Sequence, residues 1–115
     1  MFEPILVQLG IIDQVKINDD KIAITINKKS GEFVGGCNNF HRMSGYTHEE
    51  FENRSPYDYI HPEDIETVLE SHLHTSTSVP LVYWRLRTKS GKWLWFKTRS
   101  TMIGDIIVTC SELLN

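Results

Sequence analysis

Short stretches in which apolar and polar residues alternate lie towards both ends of the chain, and this alternation is the pattern of half-buried β-strands. The stretches are residues 22–26, 32–34, 81–88, 92–101 and 106–110. Turn-forming residues, Ser90-Gly91 and Gly104-Asp105, separate the last three of them. The pattern therefore predicts two strands near the N-terminus and three consecutive strands near the C-terminus.

Helical signals occupy the middle of the chain. Two short helices are predicted around residues 38–43 and 47–51, and Thr47 with Glu50 forms a capping box at the start of the second. The clearest helix begins at His61-Pro62, since proline fits the first helical position and the acidic residues after it favour a helix N-terminus. Its spacing predicts one buried stripe, formed by Ile65, Val68, Leu69, His72 and Leu73. The order of elements predicts an α+β domain with helices on one face of an antiparallel sheet.

Side-chain parity divides the three C-terminal strands into two faces. We assign to the inner face, which packs on the helices, Val82, Trp84, Leu86, Leu94, Phe96, Thr98, Ser100, Ile106, Val108 and Cys110. The outer face then carries Leu81, Tyr83, Arg85, Arg87, Trp93, Trp95, Lys97, Arg99 and Ile107. A solvated face is normally polar, so aromatic residues rimmed by arginine and lysine indicate a protein-binding surface. Two alternatives stay open: the N-terminal segment covers this face, or the aromatic residues strengthen strand pairing.

Composition narrows the class of protein. The 115 residues suit one domain, which we place at residues 21–115, with residues 1–20 as a linker or N-terminal extension. The net charge is −3 and the basic residues are scattered, so this domain is not expected to contact nucleic acid directly. No apolar run approaches the ~20 residues of a membrane span, and no signal peptide is expected. Two cysteines are too few for a disulfide framework, which favours an intracellular location.

Residues 32–112 resemble the PAS-B repeat of bHLH-PAS transcription factors, and within that group the aryl hydrocarbon receptor class. The motifs that carry the resemblance are Glu32-Phe33, Gly36-Cys37-Asn38, Gly45-Tyr46-Thr47, Tyr57-Asp58-Tyr59-Ile60-His61, Glu70-Ser71-His72, Arg85-Leu86-Arg87-Thr88-Lys89, Trp93-Leu94-Trp95 and Ile106-Ile107-Val108-Thr109. The resemblance implies a five-stranded antiparallel sheet with helices that enclose a cavity. It also implies a ligand-sensing and heterodimerisation domain that works in the cytoplasm and the nucleus.

The resemblance further implies a small hydrophobic or planar aromatic ligand, a chaperone contact and a second PAS-domain protein as dimer partner. The partner would contact the outer face at Tyr83, Trp93, Trp95 and Ile107. The matching cavity positions are Phe33, Tyr59, Ile60, Val68, Trp84, Leu86, Thr98, Ser100, Val108 and Cys110. Because Trp84 is bulkier than the phenylalanine expected there, it could fill the cavity, and a ligand-free interaction module is an alternative.

Signals for catalysis or for a bound cofactor are weak. Flavin-binding photosensory PAS domains use a reactive cysteine after the Gly-Tyr motif, and residues 53–57 contain none. His72 is the candidate axial ligand for a haem-sensing alternative, although a buried histidine is more often satisfied by an ordinary hydrogen bond. Cys37 and His41 lie four residues apart but lack an evident third group to orient them. We therefore expect a domain without enzymatic activity and without a metal site.

Overall fold

The computed structural model describes residues 20–55 and 58–115 of the chain. Its strands are β1 (Ile22–Lys28), β2 (Phe33–Gly36), β3 (Leu81–Arg87), β4 (Trp93–Ile103) and β5 (Ile106–Leu113). Its helices are α1 (Asn38–Ser44), α2 (His48–Glu52) and α3 (Ile65–Leu73), and a 3-10 turn at Pro62–Asp64 leads into α3. The assignment of residues 1–20 to a linker or extension falls almost wholly outside the described residues and stays a prediction.

The strands form one five-stranded sheet in the order β2-β1-β5-β4-β3, and every neighbouring pair is antiparallel. Consequently β1 and β5, which are far apart in sequence, pair at the centre of the sheet. The predicted α+β class with its antiparallel sheet is confirmed. The five predicted strands are present too, and β4 and β5 run further than expected, to Ile103 and Leu113.

The helix starts follow the sequence signals. The Thr47 hydroxyl accepts from the Glu50 amide at 3.1 Å, and the Glu50 carboxylate accepts from the Thr47 amide at 3.1 Å, which confirms the capping box. Along α3 the predicted buried stripe is wrong at one position. Val68 is buried and Ile65, Leu69 and His72 are half-buried, but Leu73, the last residue of α3, is 78% exposed.

The predicted parity is right for β3 and β4 and wrong for β5. The turn Gly104-Asp105 contains only two residues, with Gly104 at φ +60°, and Ile103 pairs directly with Ile106. Even-numbered residues of β4 therefore lie beside odd-numbered residues of β5, as in the pair formed by Ser100 and Thr109. The inner face of β5 thus carries Ile107, Thr109 and Ser111, and its outer face carries Ile106, Val108 and Cys110.

Apolar residues pack on both faces of the sheet. The main cluster lies between the inner face and the helices, and Phe51, Leu86 and Phe96 are its largest fully buried side chains. A second, smaller cluster lies on the outer face, where β1 meets β5. It consists of Ile22, Ile24, Val108 and Cys110.

Candidate ligand cavity and outer aromatic patch

A cavity of about 180 Å³ lies between the inner face of the sheet and α3. One wall is mainly apolar and consists of Phe33, Phe40, Tyr59, Ile60, Val68 and Leu69. The sheet side is rich in hydroxyl groups, from Thr25, Thr98, Ser100, Thr109 and Ser111. None of the described residues that line the cavity is aspartate, glutamate, lysine or arginine.

Of the cavity positions expected from the resemblance, seven line this space: Phe33, Tyr59, Ile60, Val68, Trp84, Thr98 and Ser100. Leu86 lies in the adjoining core, where it is fully buried and does not reach the cavity. Val108 and Cys110 lie on the opposite face of the sheet, because the β4–β5 turn reverses the parity assumed for β5. Whether any of these residues binds a ligand stays a prediction.

Tyr59 and Ile60 reach the cavity because their backbone is attached to the edge of β3. Ile60 forms a single antiparallel bridge with Leu86, and the Arg87 amide donates to the Tyr59 carbonyl at 2.8 Å. Burial, followed by the nearby charge of Asp58, raises the pKa of Tyr59 to about 12. Its phenol therefore stays protonated near neutral pH and adds no charge to the wall.

Sequence reasoning missed Thr25, Thr109 and Ser111 as cavity residues. Counting residues through the two-residue turn before β5 would have found Thr109 and Ser111. Thr25 reaches the cavity through the pairing of β1 with β5, which joins segments far apart in the sequence and leaves no local signal. His72, weighed only as a haem ligand, also lines the cavity, and burial lowers the pKa of its imidazole.

Trp84 points inward and is held by a specific hydrogen bond. Its indole Nε1 donates to the Thr98 hydroxyl at 2.7 Å, and Thr98 in turn shares a hydrogen bond of 2.8 Å with Ser111. The ring packs on Phe96 with 5.7 Å between ring centroids. Trp84 therefore occupies part of the interior, and the cavity remains beside it.

The outer face of β3 and β4 carries what we call the outer aromatic patch, formed by Tyr83, Trp93 and Trp95. Their exposed fractions are 53%, 40% and 41%. The cations at its border are Arg87, Lys97 and Arg99, and none of them forms an ion pair with a residue that the structure describes. Ile107 was wrongly expected in this surface: it is 1% exposed and lies on the inner face.

Arg85 connects the patch to the start of α3. Its guanidinium donates to both carboxylate oxygens of Asp64 at 2.9 Å, and its backbone amide donates to the same carboxylate at 2.9 Å. The guanidinium also lies 4.7 Å from the ring centroid of Trp95, within the range of a cation–π contact. The hydrogen bonds from Arg85 lower the pKa of Asp64. Asp64 lies at the N-terminus of α3, where its charge was expected, and its side chain bonds to Arg85 rather than to the helix amides.

The geometry also bears on cofactors and membranes. Pockets that enclose drug-sized ligands measure roughly 300–1,000 Å³, so a cavity of about 180 Å³ does not admit a haem. Among residues 20–55 and 58–115, no three His, Cys, Asp or Glu side chains are placed to hold a metal ion. In the same ranges no helix has the length and apolar character needed to cross a membrane.

Comparison with known proteins agrees with this architecture. The wild-type PAS-B domain of Drosophila melanogaster Cycle, solved with bound ethylene glycol, superposes with a TM-score of 0.70 at 20% identity, over 80% of this chain and 99% of that one. A sensory box histidine kinase/response regulator from Burkholderia thailandensis gives a TM-score of 0.68 at 20% identity, over 88% of this chain and 82% of that one. A domain of a sensor histidine kinase/response regulator from Geobacter sulfurreducens gives 0.69 at 13% identity, over 86% and 89%.

These similarities concern the fold, since all of them are below 25% identity. No curated protein sequence matches the chain. A family model, described as the PAS fold, matches residues 37–107, which is more than half of the chain. The chain therefore belongs to the PAS family, whose domains act as sensor and interaction modules.

Proposed function

We propose that this PAS domain binds a small molecule in the inner cavity and passes the change in occupancy to a second PAS-domain protein through the outer aromatic patch. The observation that carries this proposal is that both surfaces belong to the same two strands. Trp84 and Thr98 line the cavity, whereas Tyr83 and Trp95, on the same strands, are exposed on the opposite face. A ligand acts on such a system only through its differential affinity for two arrangements of the domain.

The wider context that we propose is an intracellular bHLH-PAS transcription factor of the aryl hydrocarbon receptor type, present in the cytoplasm and the nucleus. The order of motifs from Glu32-Phe33 to Ile106-Ile107-Val108-Thr109 supports it, as does the likeness to Cycle, itself a bHLH-PAS protein. Bacterial sensor kinases share the fold, so the motifs carry more weight here than the superposition. The cavity volume argues for a ligand of about one ring rather than a large planar one.

The three tryptophans of the chain provide the test of sensing. In a ¹H–¹⁵N spectrum, the indole signal of Trp84 reports the cavity, and those of Trp93 and Trp95 report the patch. Titration with phenol is expected to shift the Trp84 signal directly and that of Trp95 through β4. Phenylalanine substitutions of each tryptophan assign the signals. A shift confined to Trp84 would show binding without transmission, and no shift at any concentration would refute sensing by this cavity.

Association through the patch has a separate test. Trp95→Glu places a charge at the centre of the patch and is expected to weaken self-association at high concentration in sedimentation velocity, while the domain stays folded. Arg99→Glu, which changes a bordering charge on the same strand, serves as the matched control for charge. Equal association of wild type and Trp95→Glu would remove the patch as an interface.

A second candidate, the ligand-free interaction module, is favoured by the hydrogen bond that fixes Trp84 inside the domain. On this alternative Trp84 takes the place of a ligand, and Trp84→Ala opens space for one. Calorimetry with indole distinguishes the two: binding by the variant alone supports the ligand-free module, whereas binding of a cavity probe by the wild type argues against it.

A further inference from the structure

Three neighbouring hydroxyls on the inner face form what we call the hydroxyl row: Thr25 on β1, Thr109 on β5 and Ser100 on β4. Thr109 pairs directly with Thr25 on one side and with Ser100 on the other, so the three side chains lie across adjacent strands. Opposed residues on antiparallel strands place their Cβ atoms roughly 4.5–5.5 Å apart. All three residues line the cavity.

The hydroxyl row is buried and has no hydrogen-bond partner among the described side chains and backbone groups. The exposed fractions are 9% for Thr25, 8% for Thr109 and 3% for Ser100. None of the three side chains forms a hydrogen bond with any residue that the structure describes. Each of the three oxygens keeps some accessible surface, because no polar side-chain atom among the described residues is both fully buried and without a hydrogen bond. Their remaining surface therefore opens on the cavity.

The next row of the sheet makes the contrast clear. Thr98 and Ser111 are also directly paired inner-face hydroxyls that line the cavity, but they bond to each other, and Thr98 accepts from Trp84. A buried hydroxyl without a partner costs free energy, so natural cores rarely leave one unpaired. Because the three oxygens keep surface that opens on the cavity, their partners come from whatever occupies it, and a ligand with several polar groups along one edge pairs with all three at once.

Volume and charge define that molecule. An empty cavity of roughly 150 Å³ is known to accept benzene, so about 180 Å³ suits a molecule of about one ring. The wall opposite the sheet is mainly apolar, with Phe33, Phe40 and Val68. The described lining residues include no aspartate, glutamate, lysine or arginine, and burial lowers the pKa of His72, which favours its neutral form. A charged ligand would therefore lack a fixed opposite charge, and burying an unpaired charge is strongly unfavourable.

We infer that the cavity selects a small uncharged molecule with an apolar body and at least two hydroxyl or carbonyl groups along one edge, which pair with Thr25, Thr109 and Ser100. This inference rests on the proposed sensing function and specifies its ligand. The apolar body packs on the phenylalanine side of the cavity, and the polar edge lies on the sheet. A hydrocarbon of the same size leaves the hydroxyl row unpaired and binds more weakly.

The test compares three one-ring probes by NMR titration of the whole chain: resorcinol, toluene and benzoate. Resorcinol is expected to bind most tightly and to shift the amide signals of the hydroxyl row, whereas the charged benzoate does not bind. Thr109→Val removes one hydroxyl at constant shape and should weaken resorcinol about 5-fold, the equivalent of one hydrogen bond, with toluene unchanged. Thr101→Val, on β4 but on the opposite face, is the matched control and should change neither affinity.

The unliganded variant gives a second measurement. If the Thr109 hydroxyl lacks a partner in the empty protein, valine is expected to raise Tm, because it removes an unsatisfied polar group. A lower Tm would show that ordered water already satisfies the hydroxyl, and would overturn the inference. Equal affinities for toluene and resorcinol would also overturn it and leave the sensing function standing. Absence of any cavity shift with all three probes would overturn both.

Discussion

Along β4, Thr98 and Ser100 are buried against the cavity, whereas Trp93 and Trp95 on the same strand are 40% and 41% exposed. A strand that only held a fold together would show the reverse, with aromatic side chains inside and hydroxyls in solvent. Polar residues in a core and large apolar residues on a surface are the exceptions that call for an explanation. β4 has both, beside an ordinary core residue, Phe96, so its two faces are where the proposed ligand and partner contacts can be tested.

The outer face itself is divided. Where β1 meets β5, Ile22, Ile24, Val108 and Cys110 are all buried. Where β3 meets β4, Tyr83, Trp93 and Trp95 are exposed beside cations that form no ion pair with a described residue. The exposed aromatic side chains of this face therefore lie in its β3–β4 half, as expected for a partner surface of limited area.

The largest expected effect comes from a comparison of two residues of β3 that lie on opposite faces of the sheet. Leu86→Ala removes a fully buried side chain and should lower the free energy of unfolding by about 3 kcal/mol. Tyr83→Ala removes a side chain that is 53% exposed and should change it by about 0.5 kcal/mol. Urea unfolding of both variants measures the difference. Comparable losses would mean that Tyr83 belongs to the core and that the two faces are not distinct.

The two faces of the sheet also differ in how well the sequence predicts them. The hairpin strands, the capping box and the start at His61-Pro62 were predictable because each depends on neighbouring residues. The parity of β5 was not recovered from alternation, since Ile106, Ile107 and Val108 are apolar on both faces, although the length of the preceding turn contains the answer. The cavity position of Thr25 depends on the pairing of β1 with β5, and local patterns do not record such contacts.

A smaller loss of stability is expected when Asp64 is removed, because its carboxylate connects Arg85 of β3 to the start of α3. Asp64→Ala leaves the backbone amide and the guanidinium of Arg85 without their acceptor and should cost about 2 kcal/mol. Glu63→Ala is the control, since Glu63 also contacts Arg85 but its side chain is 76% exposed, and exposed ion pairs contribute little. Urea unfolding compares the two variants with wild type. Equal losses for both would show that Asp64 has no special role in holding α3 to the patch.

The pKa of Asp64 adds a pH signature to that comparison. Because Arg85 lowers the pKa of Asp64 below its ordinary 3.8, the folded protein binds this proton less readily than the unfolded chain. The stabilisation is therefore complete above pH 3.8 and is lost as the pH falls below it. The difference between wild type and Asp64→Ala is expected to narrow over that range. A difference that stays constant would contradict the ion pair.

The smallest expected effect concerns His72, whose imidazole lines the cavity and whose pKa burial lowers below the ordinary 6.5. The unfolded chain binds this proton more readily, so stability is complete above pH 6.5 and falls as the pH drops through the folded value. Lys29, Glu66 and Glu70 line an adjoining groove together with His72. Urea unfolding at about pH 7.5 and about pH 5.5 should show a smaller loss in His72→Gln than in wild type. His74 is exposed, so His74→Gln should lose as much stability as wild type between the two pH values. If His74→Gln shows the smaller loss instead, the pH dependence comes from His74 and not from His72.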